Sequence, residues 1–184
     1  MPGRRRHVFP VVTAAFAIPV VLVVTGVGDG RVASANSSGR TQIVAAPITM
    51  RMLMPGVGSE RGLQVKTILA QRAISARFPE IRNIGGVRPD SMKWHPEGLA
   101  IDVIIPDYGT PAGKALGDRI VEFALQNADR FGLEHVIWQQ TYYPIGGKPH
   151  RMANLGSYDA NHFTHVHIAT SGGGYPNGTE TYAG

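Results

Sequence analysis

The chain has no cysteine. This excludes disulfide staples and every thiolate-based zinc or iron–sulfur site. It also has no internal repeat and no sustained run of one charge sign. Its formal excess of 18 basic over 13 acidic residues is concentrated at one end. Arg4, Arg5, Arg6 and Arg31 stand against Asp29 within the first 35 residues; without these the balance is 14 to 12, a net charge of +2. The basicity expected of a nucleic-acid-binding surface is therefore missing from the rest, and no nucleic-acid partner is expected. A 184-residue chain is long enough for one domain with a real core, and without disulfides that core must carry the fold.

The N-terminal stretch reads as a targeting segment. Arg4-Arg5-Arg6 is a basic head, Val8 to Val27 is almost wholly apolar, and Ala33-Ser34-Ala35 has the small residues of a cleavage site. The apolar run is long enough to be a retained membrane anchor, but Pro10 and Pro19 within it favour cleavage. Residues 1–35 are accordingly expected to be a signal peptide, with the protein secreted or cell-wall associated and without stable membrane contact afterwards. Residues 36–59 read as a linker, 60–171 as the domain, and the glycine-rich 172–184 as a disordered tail.

Within the domain, apolar residues at helical spacing run from Arg61 until Pro79 stops them. Asn83 to Pro89 reads as a short strand or turn. Leu99 to Ile105 is an apolar run broken only by Asp102, as expected of a central strand. Thr110-Pro111 begins a second helix, ended by Gly132. Glu134 to Gln140 reads as a strand, Thr141 to Ala160 as a long loop, and His165 to Thr170 as the last strand. This order predicts an α+β domain with a mostly antiparallel sheet and helices on one side.

Seven histidines occur, three of them in Asn161-His162-Phe163-Thr164-His165-Val166-His167-Ile168. On a strand, His165 and His167 share one face and Val166 and Ile168 the other. Paired imidazoles stay neutral through hydrogen bonding or metal coordination. A lone carboxylate in an apolar strand, Asp102, likewise requires a partner. His95, Asp102 and His167 together have the ligand types of a catalytic zinc site with one open position. Satisfied core histidines and a backbone-bonded Asp102 are the structural alternative.

His95-Pro96-Glu97-Gly98-Leu99-Ala100-Ile101-Asp102 resembles the H-x-x-G-x-A-x-D motif of the superfamily that joins D-Ala-D-Ala metallopeptidases, lysostaphin-type endopeptidases and hedgehog domains. His165-Val166-His167 matches its downstream H-x-H. The likeness spans about Arg61 to Thr170 and is nearest to a group of exported actinobacterial domains. It implies a hedgehog/D-Ala-D-Ala peptidase-like fold, Zn2+ held by His95, Asp102 and His167, and hydrolysis of peptidoglycan or cell-wall peptides. It also implies that His165 and His162 lie at the active site without binding metal, and it offers Arg88 as the oxyanion-stabilising arginine. Thr164 departs from the pattern, because the D-Ala-D-Ala branch has a glutamate base there; His165 is the expected replacement, with Glu97 a second candidate. Trp94 and Trp138 are candidate cleft walls or core residues. Two other functions remain open: an inert zinc-bearing cell-wall-binding module, and a glycan hydrolase using Glu97 and Asp102, which requires both carboxylates to face one cleft.

Overall fold

In the computed structural model, residues 51–184 are described; the expected signal peptide and the first part of the expected linker lie outside them. Among the described residues no helix is long and apolar enough to cross a membrane. The elements run α1 (Val65–Arg77), β1 (Ile84–Gly85), β2 (Ala100–Ile104), α2 (Pro111–Gln126), α3 (Ala128–Phe131), β3 (Leu133–Trp138), β4 (Thr141–Pro144), β5 (His150–Arg151) and β6 (His165–Thr170). The expected α+β class holds: the strands form one six-stranded sheet ordered β1-β2-β6-β3-β4-β5, with every pairing antiparallel.

The last strand therefore enters the middle of the sheet, and its sequence explains why. Val166 and Ile168 are fully buried in the same core as Ile101 and Val103 of β2, Val136 and Trp138 of β3, and Ile68, Ile74, Leu116 and Ile120 of the helices. Alternation then sends His165 and His167 to the opposite face. Asp102 is directly across from His167 on one side, and Ile137 of β3 on the other. The helices thus cover one face, and the other is free to carry chemistry.

Local signals set the boundaries. The Thr110 hydroxyl accepts the Gly113 N–H at 3.1 Å and caps α2, with Pro111 at its first position. Gly117 lets α2 lie directly on the Trp138 ring, where a Cβ would collide. The Trp138 indole N–H donates to Asp118 Oδ1 at 3.0 Å. Trp138 is accordingly core rather than cleft wall. Gly98, with φ +68°, ends the turn before β2 where a Cβ would strike the Gly62–Leu63 backbone.

Three sequence expectations require correction. Thr141 to Ala160 is not one long loop, because it contains β4 and β5. The β3–β4 hairpin turns on Gln139 and Gln140, both left-handed at φ 49° and 59°. Two-residue hairpin turns of this kind normally signal themselves with Asn-Gly or Asp-Gly. Here the strain is held by tertiary hydrogen bonds instead: Gln139 N–H to His162 O at 3.0 Å, Gln140 N–H to Asn161 O at 2.9 Å, and Arg151 to the Gln140 side chain at 2.8 Å.

The glycine-rich tail is not disordered. The carbonyls of Gly172 and Gly174 accept the N–H groups of Lys66 and Val65 at 2.8 and 2.9 Å, serving the start of a helix whose own Gln64 provides no side-chain cap. Further on, Tyr182 is buried beneath the Arg72 guanidinium, 4.3 Å from its ring centroid. Nor are residues 51–59 a free linker. Leu53 is buried, its N–H donates to Tyr182 O at 2.8 Å, and its carbonyl accepts from Arg72 at 3.0 Å.

Candidate metal centre

The free face of the sheet gathers titratable groups from four segments. Asp102 projects from β2, His165 and His167 from β6, His135 from β3, and His95 from the turn that Gly98 closes. The burial of all five is costly unless each finds a partner. Asp102 is the common one for His95, His165 and His167. Its Oδ1 lies 2.9 Å from His167 Nδ1 and 3.6 Å from His165 Nε2; its Oδ2 lies 3.2 Å from His95 Nε2 and 2.9 Å from the Arg88 guanidinium. Burial alone would raise this carboxyl's pKa, but the adjoining His167, His95 and His165 hold it well below the ordinary carboxylate range.

His95, Asp102 and His167 form a group able to hold a metal ion, with one ligand atom from each lying within 4.8 Å of the others. His95 Nδ1 is 2.9 Å from the Gly86 carbonyl, which can only accept. Nδ1 therefore carries the proton, and Nε2 presents its lone pair to the cluster. That lone pair lies 3.2 Å from His167 Nδ1. Atoms ~2.0–2.1 Å from a common zinc ion at tetrahedral angles sit about 3.3 Å apart. The two histidine nitrogens, 3.2 Å apart, are close to that edge, and Asp102 meets them through different oxygens, Oδ1 at 2.9 Å from His167 and Oδ2 at 3.2 Å from His95. A cluster of imidazole nitrogens and a carboxylate suits a cation, and these donor types are ones that zinc accepts.

The cluster lies in a cleft of about 530 Å³ whose lining includes Arg88, Trp94, His135, Tyr142, Asp159 and His162. Trp94, unlike Trp138, is thus a wall of the cleft. His135 stacks between Tyr142 and His167, at centroid distances of 4.9 and 5.4 Å. Burial, followed by the neighbouring His167 and His162, pushes its pKa down to about 4. His162 is pushed down to about 4 by burial and by His165 and His167. It adopts the left-handed conformation at φ 55°, and its Nδ1 is buried without a hydrogen-bond partner. A proton on that nitrogen would be unsatisfied, which makes His162 a poor proton acceptor there. His165 is also lowered by burial, against the raising effect of Asp102 and Asp159. Its Nδ1 is 2.9 Å from Thr164 Oγ1 and 3.4 Å from Asp159 Oδ1.

All six expected site residues thus converge. Arg88 is the one differently engaged, since its guanidinium spans Asp90 at 2.5 Å and Asp102 at 2.9 Å. Glu97 is exposed and absent from the cleft lining, so it does not face a common cleft with Asp102. His135 and Asp159 were missed from sequence. The alternation of β3 against β6 would have found His135; Asp159, a loop acid, had no such signal.

Fold and site together define an antiparallel α+β domain with a His/Asp/His cluster at the floor of an open cleft. The family model described as "VldE, C-terminal domain" matches residues 59–163, more than half of the chain, and the chain belongs to that family. The match includes His95 and Asp102 and ends just before β6. No curated protein and no solved structure matches.

Proposed function

We propose that this is an exported zinc-dependent peptidase of the D-Ala-D-Ala metallopeptidase, lysostaphin and hedgehog type, hydrolysing peptide bonds in peptidoglycan stem or cross-link peptides. The observation that carries the reading is the convergence of His95, Asp102 and His167, with one ligand atom from each within 4.8 Å of the others, in an open cleft with a further neutral imidazole beside them. These three residues would hold the ion. An ion held there would supply Lewis acidity, polarising a scissile carbonyl and making an attacking water more acidic. His165 takes the proton of that water at Nε2 and returns it to the departing amine nitrogen, the ordinary double role of a general base and acid. Its burial keeps it neutral and ready to accept. The Gly86 carbonyl fixes the ring of His95, and Arg88 holds the outer oxygen of Asp102. Once substrate enters, the exposed part of Arg88 is the nearest cationic group for a developing oxyanion. Trp94 and Tyr142, packed around the buried His135, supply an aromatic wall against which a peptide can lie.

The test combines metal analysis with hydrolysis of cross-linked muropeptides. Wild type should bind about one zinc per chain and release new amino termini. His167→Ala should lose both, and His165→Ala should keep its metal while turnover drops by ~10²-fold or more. Equal, negligible zinc in wild type and His167→Ala would overturn the reading. Zinc without cleavage would make the domain a metal-bearing binding module.

A further inference from the structure

Thr164 stands where a carboxylate base is expected, and its surroundings give it another task. The Thr164 hydroxyl donates to Asp159 Oδ1 at 2.7 Å. An ionised carboxylate only accepts, so the direction of this bond is fixed. With its proton committed, Thr164 Oγ1 can offer His165 Nδ1, 2.9 Å away, nothing but a lone pair. Nδ1 must then carry the imidazole proton, and Nε2 the lone pair, facing the metal cluster 3.6 Å from Asp102 Oδ1. The Asp159 carboxylate, itself 3.4 Å from Nδ1, adds a direct attraction on the same side.

We infer that Asp159 and Thr164 are positioning residues that set the tautomer and ring orientation of His165, and so make its Nε2 the proton acceptor of the site. The catalytic part of this inference rests on the proposed hydrolase activity; the tautomer does not. The sequence departure at Thr164 thereby becomes intelligible. The carboxylate has moved from that position to Asp159, five residues earlier, and acts through the hydroxyl and the imidazole rather than directly on water.

Two measurements separate the inference from the function it serves. In the 15N-labelled full chain, imidazole nitrogen shifts should place the His165 proton on Nδ1, and Thr164→Val, which keeps shape but removes the hydroxyl, should release an Nε2-protonated population. This readout needs no turnover. On cross-linked muropeptides, Thr164→Val and Asp159→Ala should each lower kcat on the order of 10-fold, as loss of a partner that orients a site histidine typically does. KM and zinc content should be unchanged, and Thr164→Ser should restore the rate. In a His165→Ala background the same substitutions should cost nothing further. An Nε2-protonated His165 in the wild type would overturn the inference even if the enzyme is active. So would equal losses in the presence and absence of His165. Wild type without turnover defeats the hydrolase reading alone, and the tautomer then still decides this one.

Discussion

His135 is the residue whose burial has the most direct thermodynamic consequence. It is 4% exposed and titrates at about 4 in the fold, against ~6.5 for a free imidazole. Between those values the unfolded chain binds a proton that the folded chain refuses. Stability from this group is therefore complete above about pH 6.5 and lost as pH falls toward 4. The shift corresponds to a loss of up to about 3 kcal/mol. His135→Leu removes the titration while keeping an apolar side chain against Tyr142. Denaturant unfolding of the metal-free protein between pH 7 and pH 4 should show a shallower decline for the variant than for wild type. His162, lowered for the same reason, should account for part of what slope remains. Parallel declines would mean that His135 is protonated as easily inside the fold as outside it.

At the scale of elements, the sheet's chemistry depends on α2 and α1 being held close behind it. Gly117 brings α2 against Trp138 with no room for a methyl group. Gly117→Ala should raise the helix's intrinsic propensity yet cost roughly 1–3 kcal/mol through overpacking, measured as a lower denaturation midpoint at unchanged m-value. The start of α1 depends on the tail carbonyls of Gly172 and Gly174. Truncation after Ser171 exposes these two N–H groups and strips Tyr182 from Arg72, so it should destabilise the domain and speed amide exchange in the first turn of α1 before anywhere else. A disordered tail would have left that exchange unaltered. These are also the features that sequence conveys least well. A glycine run signals flexibility by composition, whereas the actual use of its carbonyls as acceptors for the first N–H groups of a distant helix depends on where β6 happens to end. Gln139-Gln140 likewise carries no turn signature, because its left-handed conformations are enforced by the backbone of residues 161 and 162 from across the cleft.

For the whole molecule, what was legible follows from two simple facts about strands. A carboxylate in an apolar run must face something, and histidines two apart on a strand must face the same thing. Asp102 and His165-Val166-His167 met both conditions, and the antiparallel register of β2 and β6 sets Asp102 opposite His167. Alternation along β3 would have pointed to His135 as well, whereas the placement of the Asp159 loop depends on tertiary packing and was not readable. The same arrangement makes the site a load on the fold, since buried imidazoles and a carboxylate are assembled where apolar side chains would pack more cheaply. A bound cation relieves that load, and binding to the native state alone stabilises it by ~2.7 kcal/mol at a hundred times the dissociation constant. For a domain of this size the melting temperature should rise by roughly 5–15 °C when zinc is added to chelator-treated protein. Magnesium, which prefers all-oxygen octahedral sites, should produce no comparable rise. His167→Ala should melt at one temperature whether zinc or chelator is present. Scanning calorimetry of these five samples decides the matter: a wild type indifferent to zinc would mean that the histidines and Asp102 satisfy one another through protons alone, and that the cluster is a structural network.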